Sequence, residues 1–549
     1  MNLFYFLLRT SRRIVFLAVV AGLVAGASGA GLIALIHTVS SNDGPLSVIW
    51  VWRFAGVLVV ATISAFLSQY LLIRLFQKAI ADLRMDLSRK IVAAPMRHIE
   101  ELGDFRLLAA LTDDVRTITT TLRRAPLLVI AIASLAGGVC YLVWLSWTVL
   151  LVIFGFIVLG ISCYGIIWRR ALSALRGARE EADKLFKHFR ALTDGNKELK
   201  LHRKRREVFL FGHLQSTIES FQHENIIAMT FLAIAGNFIR FLLFALLGGV
   251  IFVLPTLLEG ITPRTVTGYV IIALYMMRPL MEIVQFIPFL GQAKIALEKI
   301  ESLGLSLDSF STEVYSTTVV SGLDSNTIPL WERLELVSVT HTYHREKEDS
   351  SFSLGPIDLF FCPGELVFLV GGNGSGKTTL AKIIIGLYPP QTGEIRLDGK
   401  PITDKNRDDY RQLFSVVFSD FYLFEDLLGL ENPDLDAEAQ DYLIQLQLNH
   451  KVKIKDGMLS TTDLSGGQRK RLALLTAFLE DRPFYVFDEW ASDQDPLFKK
   501  IFYTQILPEL KARGKTVLVI SHDDRYFYVA DRCIKMEDGV LQHGTVTSI

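Results

Sequence analysis

The chain has little cysteine. Its four residues, Cys140, Cys163, Cys362 and Cys533, form no C-x-x-C pair. That argues against a disulfide framework or a zinc ribbon, and the four read as small buried residues of a reducing compartment. It also lacks an excess of either charge. Lys and Arg number 57, Asp and Glu 57, for a formal net charge of +0. Nothing global therefore attracts nucleic acid, and none is expected as a partner. Charge is missing locally as well: the run from Ile14 to Ile36 has no ionisable acid or base apart from the chain ends of that stretch, Arg12 and Arg13 before it and His37 after it. What is abundant is apolar. Half of the 549 residues are hydrophobic, 36 are Phe, and mean hydropathy is +0.35. These residues crowd into the first half, which predicts a membrane domain followed by a soluble one.

The Ile14–Ile36 run is long enough to span a hydrocarbon core of about 30 Å. A signal peptide competes as a reading, with the two arginines as its charged start, but apolar regions of signals are only about 7–15 residues long. Gly22, Gly26, Gly29 and Gly31 suit close helix packing in lipid. Further spans are predicted at about 53–73, 126–146, 148–168, 227–254 and 266–290, making six. Residues 37–52 carry one full charge, Asp43, and residues 255–265 carry only Glu259 and Arg264. Residues 74–124 and 169–224 are rich in Lys and Arg, including Arg203-Lys204-Arg205-Arg206. The positive-inside rule places these long segments and both termini in the cytoplasm. The 203–206 run also reads as a solvated helix face or a lipid-headgroup contact.

The long segments continue helical spacing beyond the spans. Pro95 breaks the first, residues 96–103 make a short piece, and a returning helix starts near Leu107. The second breaks at Asp194-Gly195-Asn196. Two helical arms with short tips are expected to press on a cytoplasmic partner. Within the spans, Asn237 and Arg240 lie in the fifth, and Arg278, Glu282 and Gln285 in the sixth. Such groups are expensive in lipid and face a cavity or a partner. Arg278 and Glu282, four apart, could instead pair with each other. Pro279 and Pro288 are expected to kink that helix.

A Ser/Thr-rich stretch at 303–329 reads as a linker. Beyond it, Gly371-Gly372-Asn373-Gly374-Ser375-Gly376-Lys377-Thr378-Thr379 fits the phosphate-binding loop G-x-x-x-x-G-K-[ST]. An apolar strand precedes it and a helix follows, as the motif requires. Its backbone N–H groups and the helix dipole suit a triphosphate. Lys377 would reach the β- and γ-phosphates and Thr378 would ligand Mg²⁺. Leu464-Ser465-Gly466-Gly467-Gln468 opens a second helix whose N-terminus suits phosphate. Phe484–Phe487 reads as a buried strand ending in Asp488 and Glu489, a Mg²⁺ holder and a general base. Val517–Ile520 ends in Ser521-His522, and His522 could contact the γ-phosphate. Tyr343, in a loop-like stretch, could stack on adenine.

In this order, after six spans, the phosphate loop, LSGGQ, apolar-Asp-Glu strand, Ser492-Asp493-Gln494-Asp495 and Ser521-His522 resemble an ABC exporter half-transporter along essentially the whole chain. The resemblance implies an all-α six-helix transmembrane domain over 1–300, a linker over 301–330, and a cytoplasmic α/β P-loop ATPase domain over 331–549. It implies ATP and Mg²⁺, and a homodimer in which each ATP lies between Gly372–Thr379 of one chain and Ser465, Gly466, Gly467 and Gln468 of the other. Asp495 would lie in the dimer-contacting loop, and the arms would couple the two domains. Glu489–Pro496 and Ser521–Phe527 look like the cyclic-peptide exporter branch, and Phe418–Phe424 like its pyoverdine-type siderophore exporters. Where most ABC ATPases have a Mg²⁺-reaching glutamine, this chain has Ser419, followed by Asp420. No peptidase domain precedes the first span, so leader-peptide cleavage is not expected. The function expected is ATP-driven export of a peptide-type secondary metabolite, a siderophore or its precursor, across the bacterial inner membrane. A lipid or multidrug flippase, or an ATP-dependent membrane sensor, are the alternatives.

Overall fold

The computed structural model describes residues 11–40, 47–253, 256, 263–302, 331–345, 350–430 and 433–542. The expected linker, 303–329, and most of the 255–265 loop lie outside the described residues. The chain forms two compact units. One comprises 1–88 with 106–306, the other 89–105 with 307–549.

The first unit is helical. Arg12–Ser40, Val48–Ala93, Arg106–Leu145, Arg203–Val253 and Arg264–Ile300 are each long and apolar enough to cross a membrane. The sixth expected span, 148–168, lies on the helix Trp147–Asp194, many of whose side chains in that stretch fall outside the described residues. Small residues let two helices approach. A Cβ at Gly22 would lie 2.7 Å from Val129 Cγ1, and one at Gly26 would overlap Ala133. Gly29 faces the Tyr275 hydroxyl in the same way, whereas Gly31 meets only Val57 at an ordinary 3.9 Å. Three of the four glycines thus sit at close approaches. The helix Pro263–Ile300 runs through Pro279 and Pro288 without interruption. Thr121 Oγ1 donates to the Phe289 carbonyl at 3.0 Å and joins it to the Val115–Leu145 helix.

Both arms turn where expected. Val48–Ala93 stops before Pro95, Met96–Leu102 forms a seven-residue helix, and the chain turns at Gly103 with φ 75°. Trp147–Asp194 ends at Gly195, followed by Asn196–Leu201. Two cysteine expectations need correction. Cys140 and Cys163 are exposed on the apolar helices, Cys362 is half-buried and only Cys533 is buried. Lipid rather than a protein core receives the outer faces of such helices, so an apolar neighbourhood in sequence does not mean burial.

In the second unit the central sheet has the order β12-β11-β3-β10-β9-β6. Its strands are β3 (Leu366–Gly371), β6 (Phe414–Val417), β9 (Phe484–Asp488), β10 (Thr516–Ile520), β11 (Arg532–Glu537) and β12 (Val540–Gln542). All pair in parallel except β12, which is antiparallel to β11. Continuous apolar runs suit parallel strands buried on both faces. Alternation divides them between two cores. Leu366, Phe368, Tyr485, Phe487, Val517 and Val519 pack on one side, with the helices Gly466–Glu480 and Leu435–Gln445. Val367, Leu369, Phe484, Val486, Leu518 and Ile520 pack on the other, with the helix Lys377–Ile384. That second face also meets an antiparallel sheet built from β1 (Leu334–Arg345), β2 (Ser350–Phe361), β4 (Thr392–Leu397) and β5 (Lys400–Pro401). Each fully buried large side chain contributes roughly 1.5–3 kcal/mol relative to an exposed one. The two helices that follow the glycine motifs, Lys377–Ile384 and Gly466–Glu480, are therefore anchored on opposite faces of one sheet.

The arm tip 89–105 belongs to this unit. Glu100 accepts from Lys382 Nζ at 2.7 Å and from the Tyr388 hydroxyl. Both partners lie on or just beyond the helix that the phosphate loop opens.

Candidate active site

Parallel strands gather their functional ends at one edge of a sheet, where ligands of such folds bind. Here β3 ends in Gly371, β9 in Asp488 and β10 in Ile520, with Ile520 opposite both Leu369 and Asp488. The phosphate loop, the Asp488-Glu489 pair and Ser521-His522 thus emerge side by side.

Gly374 and Gly376 adopt φ 80° and 102°, a region glycine enters without the penalty a Cβ brings. A Cβ on Gly372 or Gly374 would meet nothing within 4 Å, so the loop is uncovered at these positions. The helix begins at Lys377, and its first N–H groups have no partner within the helix. Asn373 is exposed, Ser375 buried, and Thr378 and Thr379 half-buried. Ser375 Oγ is buried without a hydrogen bond. Lys377 Nζ donates to the carbonyls of Gly371 and Gly372 at 3.0 and 2.8 Å. Burial lowers its pKa, while Glu489 and Asp488 oppose that shift.

Asp488 is fully buried; the Thr378 hydroxyl stands near its carboxylate but makes no hydrogen bond of good geometry, so both oxygens are left unpartnered. Burial raises its pKa, the Thr378 hydroxyl pulls it down, and Glu489 and Asp420 push it up again. An unsatisfied buried carboxylate is costly unless something occupies its lone pairs. Asp488 and Thr378 therefore fit a divalent cation, directly or through its waters. Such a cation would neutralise phosphate charge. Ser419 follows β6 (Phe414–Val417), the neighbour of β9, and is exposed. The oxygen-bearing neighbour that acts on Asp488 at this corner is Asp420.

Glu489 has φ 49°, a strained conformation for a side-chain-bearing residue, and its N–H donates to the Ile520 carbonyl at 3.1 Å. This turns its carboxylate to the sheet edge. His522 Nε2 lies 3.1 Å from Glu489 Oε1, with both side chains partly exposed. A base oriented by a second group and open to water can activate a nucleophile. Ser521 is buried and satisfied: its Oγ lies 2.7 Å from the Tyr503 hydroxyl and accepts from Asp523 N–H at 3.0 Å.

Ser465 caps the helix Gly466–Glu480 in a capping box, with Gln468 Oε1 accepting from Ser465 N–H at 3.2 Å. Gly466 has open space at its Cβ position, while Gly467 lies close to the Asp493 carbonyl. Asp495 accepts from Phe498 N–H at 2.9 Å, capping the helix Pro496–Ile501, and also receives Arg471. Tyr343 is not in a loop. It lies within β1, opposite Phe352 of β2, so its backbone continues a ladder. Its ring falls outside the described residues.

Lys470 was not among the expected site residues. It is buried, and its Nζ reaches the Glu489 carbonyl at 3.2 Å, Ser492 Oγ at 3.1 Å and Asp493 Oδ2 at 2.7 Å. Trp490 Nε1 returns a bond to the Lys470 carbonyl at 2.7 Å. Gln494 Nε2 donates to the Gly467 carbonyl at 3.0 Å and Gln494 Oε1 accepts from Arg471 at 2.9 Å. The helix after LSGGQ and the turn after Glu489 are thus one bonded body within each chain. The available signal was a lysine flanked by residues of an apolar helix face, Leu472 to Leu475.

Residues 354–492 match the family described as ABC transporter, and residues 13–280 match the ABC transporter transmembrane region. The ATP-binding protein SyrD of Pseudomonas syringae pv. syringae is 38% identical over 536 residues, 96% of this chain and 93% of that protein. The chain belongs to the ABC transporters. An ATP-dependent lipid A-core flippase of Thiobacillus denitrificans is 26% identical over 88% of this chain and 83% of its own length. The corresponding flippase of Vibrio cholerae is 24% identical over 89% and 84%. A solved structure of a bacterial Atm1-family ABC exporter with ATP bound superposes with a TM-score of 0.71 at 16% identity, covering 96% of this chain and 94% of that one. The fold is that of an ABC exporter, a helical transmembrane domain with a nucleotide-binding domain, and the protein is an ATP-hydrolysing exporter.

Proposed function

We propose that this protein is a homodimeric exporter of the bacterial inner membrane, with both termini in the cytoplasm. It uses ATP hydrolysis to move a peptide-type secondary metabolite outward, with a pyoverdine-type siderophore or its precursor as first candidate. The membrane domain covers about 1–300, the linker 301–330 and the ATPase domain 331–549. The observation that carries the reading is the meeting of Lys377, Thr378, Asp488, Glu489 and His522 at one sheet edge. In each composite site Gly372–Thr379 hold the triphosphate of ATP, Thr378 and Asp488 hold Mg²⁺, Glu489 takes a proton from water, and His522 orients Glu489. Ser465–Gln468 of the second copy close the site, with Asp495 beside them. The peptide reading is supported by the motif variants at 489–496 and 521–527, which resemble the cyclic-peptide exporter branch, and the 38% relationship to the ATP-binding protein SyrD supports the ATP-driven part. The flippase relatives, at 24–26%, favour a lipid as the second reading. The test is ATP-dependent uptake into inverted membrane vesicles of a purified acylated cyclic peptide and of a pyoverdine-type siderophore. Accumulation of either supports export. Hydrolysis stimulated by the compound without accumulation would overturn it in favour of a sensor.

Two expectations attach to this reading. Ser419→Gln should hydrolyse ATP near the wild-type rate, while Ser419→Ala should fall roughly tenfold, the rate equivalent of a lost charge-assisted contact of about 1.4 kcal/mol. Rates at saturating Mg²⁺ decide. If alanine matches wild type, the oxygen required at this corner belongs to Asp420. Glu100→Ala should spare basal hydrolysis and lower the transport-to-hydrolysis ratio, by roughly five- to tenfold for the loss of two partly buried bonds to one carboxylate. An unchanged ratio would remove Glu100 from coupling.

A further inference from the structure

The helical unit contains a cavity of about 570 Å³ between the helices Val115–Leu145, Trp147–Asp194, Gln215–Gly248 and Pro263–Ile300. Its polar lining is unusual for a segment of this hydropathy: Arg124, Arg240, Asn237 and Gln285. Tyr164 and Trp168 line another part, stacked with ring centroids 6.0 Å apart and planes 17° from parallel. No acidic side chain lines it among the described residues. Arg124 Cζ lies 4.0 Å from the centroid of the Phe289 ring, a cation–π distance that ties the guanidinium to this wall of the cavity. Among the described residues no carboxylate lies within 4.0 Å of either arginine.

Two guanidiniums facing one cavity repel each other and carry ten N–H donors but no acceptor. All four polar side chains are exposed to this open cavity, and arginines within membrane-spanning helices that face a cavity mark the path or site of a charged ligand. The guanidinium fork matches a carboxylate or a phosphate, and the two amides add donors around it. The stacked aromatic pair offers an apolar wall for the body of the same molecule. The sixth helix has another charged pair of residues, but Arg278 and Glu282 lie off this cavity and form no ion pair with each other among the described residues.

We propose that this cavity is a cargo site that selects an anionic headgroup, carboxylate or phosphate, attached to an apolar or aromatic body. Arg124 and Arg240 bind the anion, Asn237 and Gln285 fill its remaining acceptors, and Tyr164 with Trp168 hold the apolar part. The inference deepens the export reading by giving its cargo a charge, and it rests on that reading for the direction of movement alone.

The test is photo-crosslinking of the full-length protein in phosphatidylcholine nanodiscs. One probe is an N-dodecanoyl peptide with two aspartates and a diazirine on the acyl chain; the other carries asparagines instead. The acidic probe should label the segment containing 164–168, where the acyl chain is held, about tenfold more strongly than the neutral one, as expected when a charge-assisted contact is lost. Arg124→Gln and Arg240→Gln should each remove most of that preference, and Arg240→Lys should restore part of it, separating lost charge from misfolding. Competition by bisphosphorylated lipid A but not by unlabelled acidic peptide supports the anion site and assigns its source to lipid. The reverse result supports it and assigns the source to peptide. Equal labelling by both probes, or labelling insensitive to both glutamine variants, overturns the proposal. The vesicle uptake assay fails separately: labelling without uptake leaves the anion site standing and removes the export of that peptide.

Discussion

Glu489→Gln should bind ATP with wild-type affinity and lose at least about a hundredfold in hydrolysis, the usual scale for removing a positioned base. The amide has the shape of the carboxylate, so the φ of 49° and the bond from its N–H to Ile520 can persist. It can also still accept from His522 across the present 3.1 Å. What it cannot do is take a proton from water. Binding and chemistry should therefore separate cleanly, and the variant should accumulate as a closed, ATP-bound dimer. The measurement is a single-turnover rate beside an equilibrium binding curve. A rate within about tenfold of wild type, only ~1.4 kcal/mol on the barrier, would falsify the general-base role. His522→Ala gives a graded comparison. It leaves the carboxylate but removes the group that orients it, so hydrolysis should fall less than in the glutamine variant.

The devices of this site were legible where each is contiguous in sequence. A phosphate loop needs particular glycines, a lysine and a helix start within nine residues, and Gly374, Gly376 and Lys377 supply them locally. The strand ending in Asp488 announces itself because five successive buried residues must be followed by the turn that exposes Glu489. The arm tips were legible for the same reason, since Pro95 and Gly195 act on their own neighbours. Contacts between distant segments left no such trace. Glu100 meets partners 282 and 288 residues away, and nothing in Arg97–Glu101 specifies them. Lys470 depends on the rotation of one helix over another segment's turn, which periodicity alone does not set. Tyr343 misled because Thr340–Arg345 is polar, yet β-branched and aromatic residues keep it extended against β2. Cys140 and Cys163 misled because apolar sequence in a lipid-facing helix turns outward.

Two inactive chains should restore activity to each other if, as proposed, each site is shared across a two-fold dimer. Ser465→Arg places a long cation at a helix N-terminus, where the free N–H groups and the dipole favour an anion. Lys377→Ala removes the charge expected on the phosphates. Either homodimer has both sites damaged and should be near zero. In a mixed dimer both lesions fall on the same interface, because the Ser465→Arg chain closes the site built on the Lys377→Ala loop. The other site keeps its own lysine and the partner's intact serine. A two-fold interface repeats each contact, so an equimolar mixture should reach about a quarter of the wild-type rate if half the dimers are mixed and sites act independently. A chain carrying both lesions, mixed with wild type, distinguishes this from simple dilution. Each of its mixed dimers has one lesion at each site, so the mixture should also fall to about a quarter, contributed by the wild-type homodimers alone. Tagged purification of only the mixed species sharpens the contrast. The trans pair should retain about half the wild-type rate, and the cis pair almost none. The reverse pattern, about half the rate in the cis pair and almost none in the trans pair, or full hydrolysis by isolated monomers, would show that Ser465 does not act on the partner's nucleotide. The bonded body formed by Lys470 gives the same experiment a second reading. It ties the Ser465 helix of each chain to that chain's own Glu489 turn, so the damaged site reports to the intact one through a rigid link. A trans rate well below half, restored toward half by Lys470→Met, would mean that the two sites fire in concert through this contact.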